Sequence, residues 1–96
     1  MVSMPASQIA TTPERLAGQI HDALAALADP ARAVPMRAYM RDQFPFLGIR
    51  TPVRRTALKP LLNVNFDQKR LLTAAGLLYD LPEREYRYAA SDLLAI

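Results

Sequence analysis

Hydrophobic positions recur along this chain at the three- and four-residue steps of an α-helix, and most runs open on a recognisable start signal. Thr12-Pro13 pairs an N-capping side chain with a proline at the first helical position, where a missing N–H has no partner to lose. Leu16, Ile20, Leu24 and Leu27 then form one stripe, which predicts a first helix near 13–28. Asp29-Pro30 repeats the signal, but Pro35 removes an intrahelical hydrogen bond, so the second helix is expected to break or kink there, with its main body at 35–43. Met36, Tyr39, Met40 and Phe44 would share one side of it, and Arg37 and Arg41, four apart, another. Phe44-Pro45-Phe46-Leu47-Gly48-Ile49 mixes large apolar residues with two helix breakers and reads as a loop pinned into the core by its side chains.

Thr51-Pro52 opens a third helix to about Leu62, with Val53, Ala57, Leu58, Leu61 and Leu62 apolar and Pro60 a bend. Asp67 caps a fourth helix to about Tyr79, with Leu71, Leu72, Ala75, Leu78 and Tyr79 inward. Leu81-Pro82-Glu83 begins a fifth, whose Tyr86, Ala89, Ala90, Leu93 and Leu94 follow the template of an amphipathic helix. No stretch alternates as a strand would, and short connections make consecutive helices antiparallel neighbours. The expected fold is all-α, about five helices in antiparallel pairs stacked as a HEAT-like α-solenoid fragment over residues 12–96. Residues 1–11 lack periodicity and read as a flexible tail. Leu93, Leu94 and Ile96 remain in the pattern of the fifth helix with no polar capping repeat after them, so the array is expected to be truncated, exposing a face for self-association.

Charge sharpens this picture. The total is only +3, but residues 1–29 carry −2, residues 30–60 carry +6 and residues 61–96 carry −1. Such a local excess repels itself in a compact fold, and an anionic partner would relieve it; nucleic acid and anionic lipid are the first candidates. Arg50, Arg54, Arg55 and Lys59 cluster at the start of the third helix, where free backbone N–H groups from Thr51 onward and the dipole also favour anions. The alternative is a basic face that is merely solvated. Four phosphate contacts would give a log–log salt slope near −3.6.

Self-contained catalytic chemistry is nearly absent. With no cysteine and His21 as the lone histidine, no ordinary zinc site can be assembled, and no cofactor is expected. His21 reads as a solvated side chain, Glu83 and Arg87 as a helix-surface ion pair, and Gly18, Gly48 and Gly76 are too isolated for a phosphate loop. No apolar run reaches the roughly 18 residues a bilayer needs, and no signal peptide is visible, so a cytoplasmic protein is the expectation, nucleoid-associated only when bound to DNA.

The segments YMRDQFPFLGIRTPVRR from Tyr39 and LYDLPEREYRYAASDLL from Leu78 resemble the N-terminal part of the bacterial DNA alkylation repair glycosylases with a HEAT-like repeat fold, over about Ala28 to Ile96. The resemblance implies a solenoid whose basic concave groove holds duplex DNA containing alkylated purines. It also implies hydrolysis of the glycosidic bond of N3- or N7-alkylated purines without deep base flipping. The catalytic carboxylate and its Trp and Arg neighbours would belong to repeats after Ile96, so no catalytic residue is assigned in this chain, which contains no tryptophan. Tyr39 matches a groove-facing tyrosine, and Thr51 and Arg55 match positions near the phosphate backbone. Arg50 stands where a characterised relative has glutamine, and Tyr79 stands where tryptophan is expected, in core packing. By its residues alone Tyr39 could equally be a core tyrosine. The expected DNA-binding set is Tyr39, Arg50, Thr51, Arg54, Arg55 and Lys59. The competing readings are a non-catalytic helical-repeat module for protein partners and a truncated remnant that folds poorly.

Overall fold

The computed structural model of the 96-residue chain describes residues 9–96. Five helices appear in order, α1 Pro13–Ala25, α2 Pro30–Tyr39, α3 Thr51–Leu58, α4 Gln68–Tyr79 and α5 Arg84–Leu94, and no strand is present among the described residues. Three starts are made by the expected side chains. Thr12 accepts from the Arg15 N–H at 3.2 Å, Asp29 from Arg32 at 3.3 Å and Asp67 from Arg70 at 2.9 Å. The cap of α3 lies one residue earlier than expected, at Arg50, and carries no side-chain cap bond.

Helix ends depart further from the sequence pattern. α1 stops at Ala25, after which Leu27 N–H and Ala28 N–H bond to Leu24 and Ala25 carbonyls in tighter turns, and Leu27 rotates out toward solvent. α2 runs unbroken through Pro35. Its lost bond falls near the helix start, where the Asp29 cap and the Ala33 N–H to Asp29 carbonyl bond (3.0 Å) already hold the turn. It ends at Tyr39 instead of 43 because Arg41 N–H bonds the Ala38 carbonyl (3.0 Å) and Asp42 N–H the Arg37 carbonyl (2.7 Å) in a Schellman closure. Arg41 therefore lies beyond the helix, at φ 56°, and Arg37 and Arg41 do not form a pair on one helical face. α3 stops at Leu58, ahead of Pro60.

The core is built by α1, α4 and α5. Leu16, Ile20 and Leu24 of α1 meet Ala74, Ala75 and Leu78 of α4 and Tyr86, Ala89, Ala90 and Leu93 of α5, with Leu58, Leu61 and Ile49 closing one end. Alanines at the α4–α5 crossing allow close approach, and that pair makes the most extensive helix contact; α1 lies next to α4, and α3 touches α1 and α5. Chain-order pairing thus holds for α4 with α5, whereas α1 takes α4 as its main neighbour. α2 comes close to no other helix among the described residues. Leu72 and Tyr79, expected inward, are exposed, as are the apolar Val53 and Leu94. Ala10, inside the expected tail, is buried in the core, and residues 1–8 of that tail lie outside the described residues.

His21 is only half-solvated: its ring stacks on Tyr86 at 5.4 Å and 12°, and Nδ1 meets Asp22 Oδ1 at 3.0 Å. Burial, reinforced by the negative charges of Glu83, Glu85 and Asp22, pushes the Tyr86 hydroxyl up to about 12.

Candidate nucleic-acid interface

The segment 44–49 organises the basic region, and α5 fixes that segment. Arg84 N–H donates to the Pro45 carbonyl at 2.9 Å, so a free donor at the start of α5 is satisfied by the loop. The next residue, Glu85, is fully buried, and its carboxylate accepts from Leu47 N–H (2.8 Å), Gly48 N–H (2.9 Å) and Ile49 N–H (3.1 Å). Three charge-assisted bonds are what make a buried carboxylate tolerable. The loop is therefore pinned by its backbone as well as by its apolar side chains.

On its other side the loop receives α2. Asp29 N–H donates to the Leu47 carbonyl at 2.8 Å, and Gly48 adopts φ 93° with its α-carbon so close to the Asp29 carbonyl that a β-carbon would overlap it. Tyr39, at the far end of α2, is 88% exposed, which excludes the core reading of that residue. With Met36, Met40, Phe46, Ile49, Arg50, Thr51 and Tyr88 it lines a groove of about 400 Å³ between α2, the loop and α5. Three of the six sequence-predicted residues, Tyr39, Arg50 and Thr51, meet there.

Arg55 and Lys59 line a second recess of about 630 Å³ with Leu62, Asn63, Asp92 and Ala95. Between the two recesses lies Arg54, and its placement corrects the sequence reading. It is 5% exposed, with Nε 2.9 Å from Asp92 Oδ2, a terminal nitrogen 3.4 Å from Oδ1, and the guanidinium 5.3 Å from the Tyr88 ring. Its charge is engaged inside the protein, because Arg54 stands one turn before Leu58 on the buried side of α3. The basic edge available to solvent is thus Arg50, Arg55 and Lys59. All three are exposed, and none is in an ion pair among the described residues.

Tyr88 and Glu85 were not singled out from sequence as parts of this region. Tyr88, which lines the first groove, carries Arg54 at 5.3 Å and Arg84 at 5.7 Å, and Arg84 also covers Phe44 at 4.2 Å. Glu85 had a readable signal: it lies one turn before Ala89 on the face that buries Ala89 and Leu93. Arg87 lies 5.3 Å from the exposed Tyr79 ring and forms no ion pair with Glu83, so neither the surface pair nor core packing of Tyr79 is observed. Among the described residues no group of three or more His, Cys, Asp or Glu could hold a metal, and no helix is long and apolar enough to cross a membrane.

These features define an all-helical scaffold that presents exposed cations and an exposed tyrosine around the start of one helix. The family model described as DNA alkylation repair enzyme matches residues 20–96, and the chain belongs to that family. A search of curated proteins finds no match. Membership assigns a role in DNA alkylation repair.

Proposed function

We propose that this chain is the DNA-gripping portion of a DNA alkylation repair glycosylase that hydrolyses the N-glycosidic bond of N3- or N7-alkylated purines, acting at the nucleoid and built on HEAT-like stacking. The observation that carries the DNA-binding part is the grouping of Tyr39, Arg50 and Thr51 around one groove with Arg55 and Lys59 at the adjacent recess. Phosphates would meet Arg50, Arg55, Lys59 and the N–H groups opening α3, while Tyr39 offers a ring to sugar or base. The family match supports the repair role. In this reading the chain grips DNA without cutting it. Among the described residues the first groove is lined by no carboxylate, and Asp92, which lines the second, is bonded to Arg54.

With three solvent-facing cations in place of four, duplex binding followed by fluorescence anisotropy should show a log–log salt slope of about −2.7. Absence of affinity at low salt, or affinity indifferent to salt, defeats the DNA reading. Free alkylpurine released from a methylated duplex by this chain alone would overturn the grip-without-cutting half.

The exposed Leu72, Tyr79 and Leu94 favour a second reading, a helical module for protein partners or for self-association. A defined partner whose capture DNA fails to compete would support it.

A further inference from the structure

We propose that Glu85 is a positioning residue for DNA binding: its carboxylate sets where Tyr39 and Arg50 stand relative to each other. The inference rests on the DNA-binding reading above and concerns a residue that touches no DNA itself. Two observations carry it. First, α2 comes close to no other helix among the described residues, and it is joined to the segment 44–49 by the Asp29 N–H to Leu47 carbonyl bond and by the close approach of Gly48 to Asp29 and Ala33. Second, that segment is tied to α5 by the three N–H bonds to Glu85, supplemented by the Arg84 N–H to Pro45 carbonyl bond.

The geometry makes the carboxylate a shared reference point. Oε1 takes Leu47 N–H, whose residue also gives its carbonyl to Asp29 at the head of α2; Oε2 takes Gly48 and Ile49 N–H, and the chain then passes directly into Arg50 and Thr51. One buried group thereby anchors both walls of the first groove. The main core, made by α1, α4 and α5, is formed by apolar side chains, and only Ile49 at one end of it, with Leu47 packed alongside, stands on backbone bonded to this carboxylate. Loss of the anchor should loosen the groove more than it loosens the fold. A glutamine at this position keeps the shape but turns an amide N–H₂ toward backbone donors, so at least one of the three bonds is replaced by repulsion.

The test compares the parent chain with Glu85→Gln and with Ile20→Val, a mild core change that serves as a control for general destabilisation. Duplex affinity and its salt slope are measured by anisotropy, and unfolding by circular dichroism. Glu85→Gln is expected to bind about tenfold more weakly at low salt and to flatten the slope by about 0.9, the signature of one lost phosphate contact at Arg50. Ile20→Val should keep the parent slope. If the parent binds and Glu85→Gln matches it in affinity and slope, or if both variants change alike, the positioning role is overturned while the DNA reading stands. A parent that does not bind duplex overturns both.

Should Glu85→Gln fail to fold, amide hydrogen exchange on the parent decides. Leu47, Gly48 and Ile49 N–H are expected to be protected as strongly as helical amides of α5, with or without duplex. Exchange as fast as in an open loop removes the anchor and the proposal with it.

Discussion

Arg41 and Asp42 both sit at φ 56°, in the left-handed region that costs an L-residue roughly 1–2 kcal/mol. The closure of α2 demands this at Arg41, the position where helices of this ending usually carry glycine. Arg41→Gly should therefore raise stability by about 0.5–1 kcal/mol once the greater freedom of the unfolded chain is subtracted, visible as a rise of a few degrees in Tm. Nothing in the sequence signals this closure, because Arg-Asp is an ordinary continuation of a helix. Gly48 is the contrasting residue. It was legible as a breaker, and its φ of 93° and contact with the Asp29 carbonyl supply the reason.

Among the elements, α3 and α5 are joined through charge as well as apolar packing. Arg54 of α3 is bonded by Asp92 of α5, and removing the carboxylate leaves a guanidinium buried without its counter-ion. Asp92→Ala should cost about 3 kcal/mol, measured by urea unfolding, and a second change of Arg54 to Met should recover a large part of it. Helix starts were legible because they are local: Thr12, Asp29 and Asp67 bond to an N–H three residues on. The pairings that organise the grooves are not local. Arg54 with Asp92 and Leu47 with Glu85 each span 38 positions, and no periodicity in a single chain marks such partners. What was readable is that both charged residues occupy helical registers otherwise filled by apolar ones, Arg54 with Leu58, Glu85 with Ala89 and Leu93. Counting Arg54 into the basic run of 50–59 obscured that register. Of the same run, the fold leaves Arg50, Arg55 and Lys59 open to solvent.

For the molecule as a whole, stability is centred on α1, α4 and α5, and Tyr86 at their junction makes it sensitive to alkali. Its hydroxyl ionises near 12 in the fold against about 10 when unfolded. Below pH 10 both states hold the proton and this group adds no pH dependence. Above it the unfolded chain loses the proton first, so stability falls as pH rises from about 10 to about 12, by up to roughly 3 kcal/mol. Urea midpoints of the parent should drop across that window, and those of Tyr86→Phe should drop less.

The isolation of α2 from the other helices separates two tolerances that are usually one. A wall held through one loop can swing away while the block behind it stays intact, so the conditions under which the proposed DNA groove opens need not be those under which the fold melts. Warmth or mild denaturant would then act on it first as a release and only later as a loss of shape.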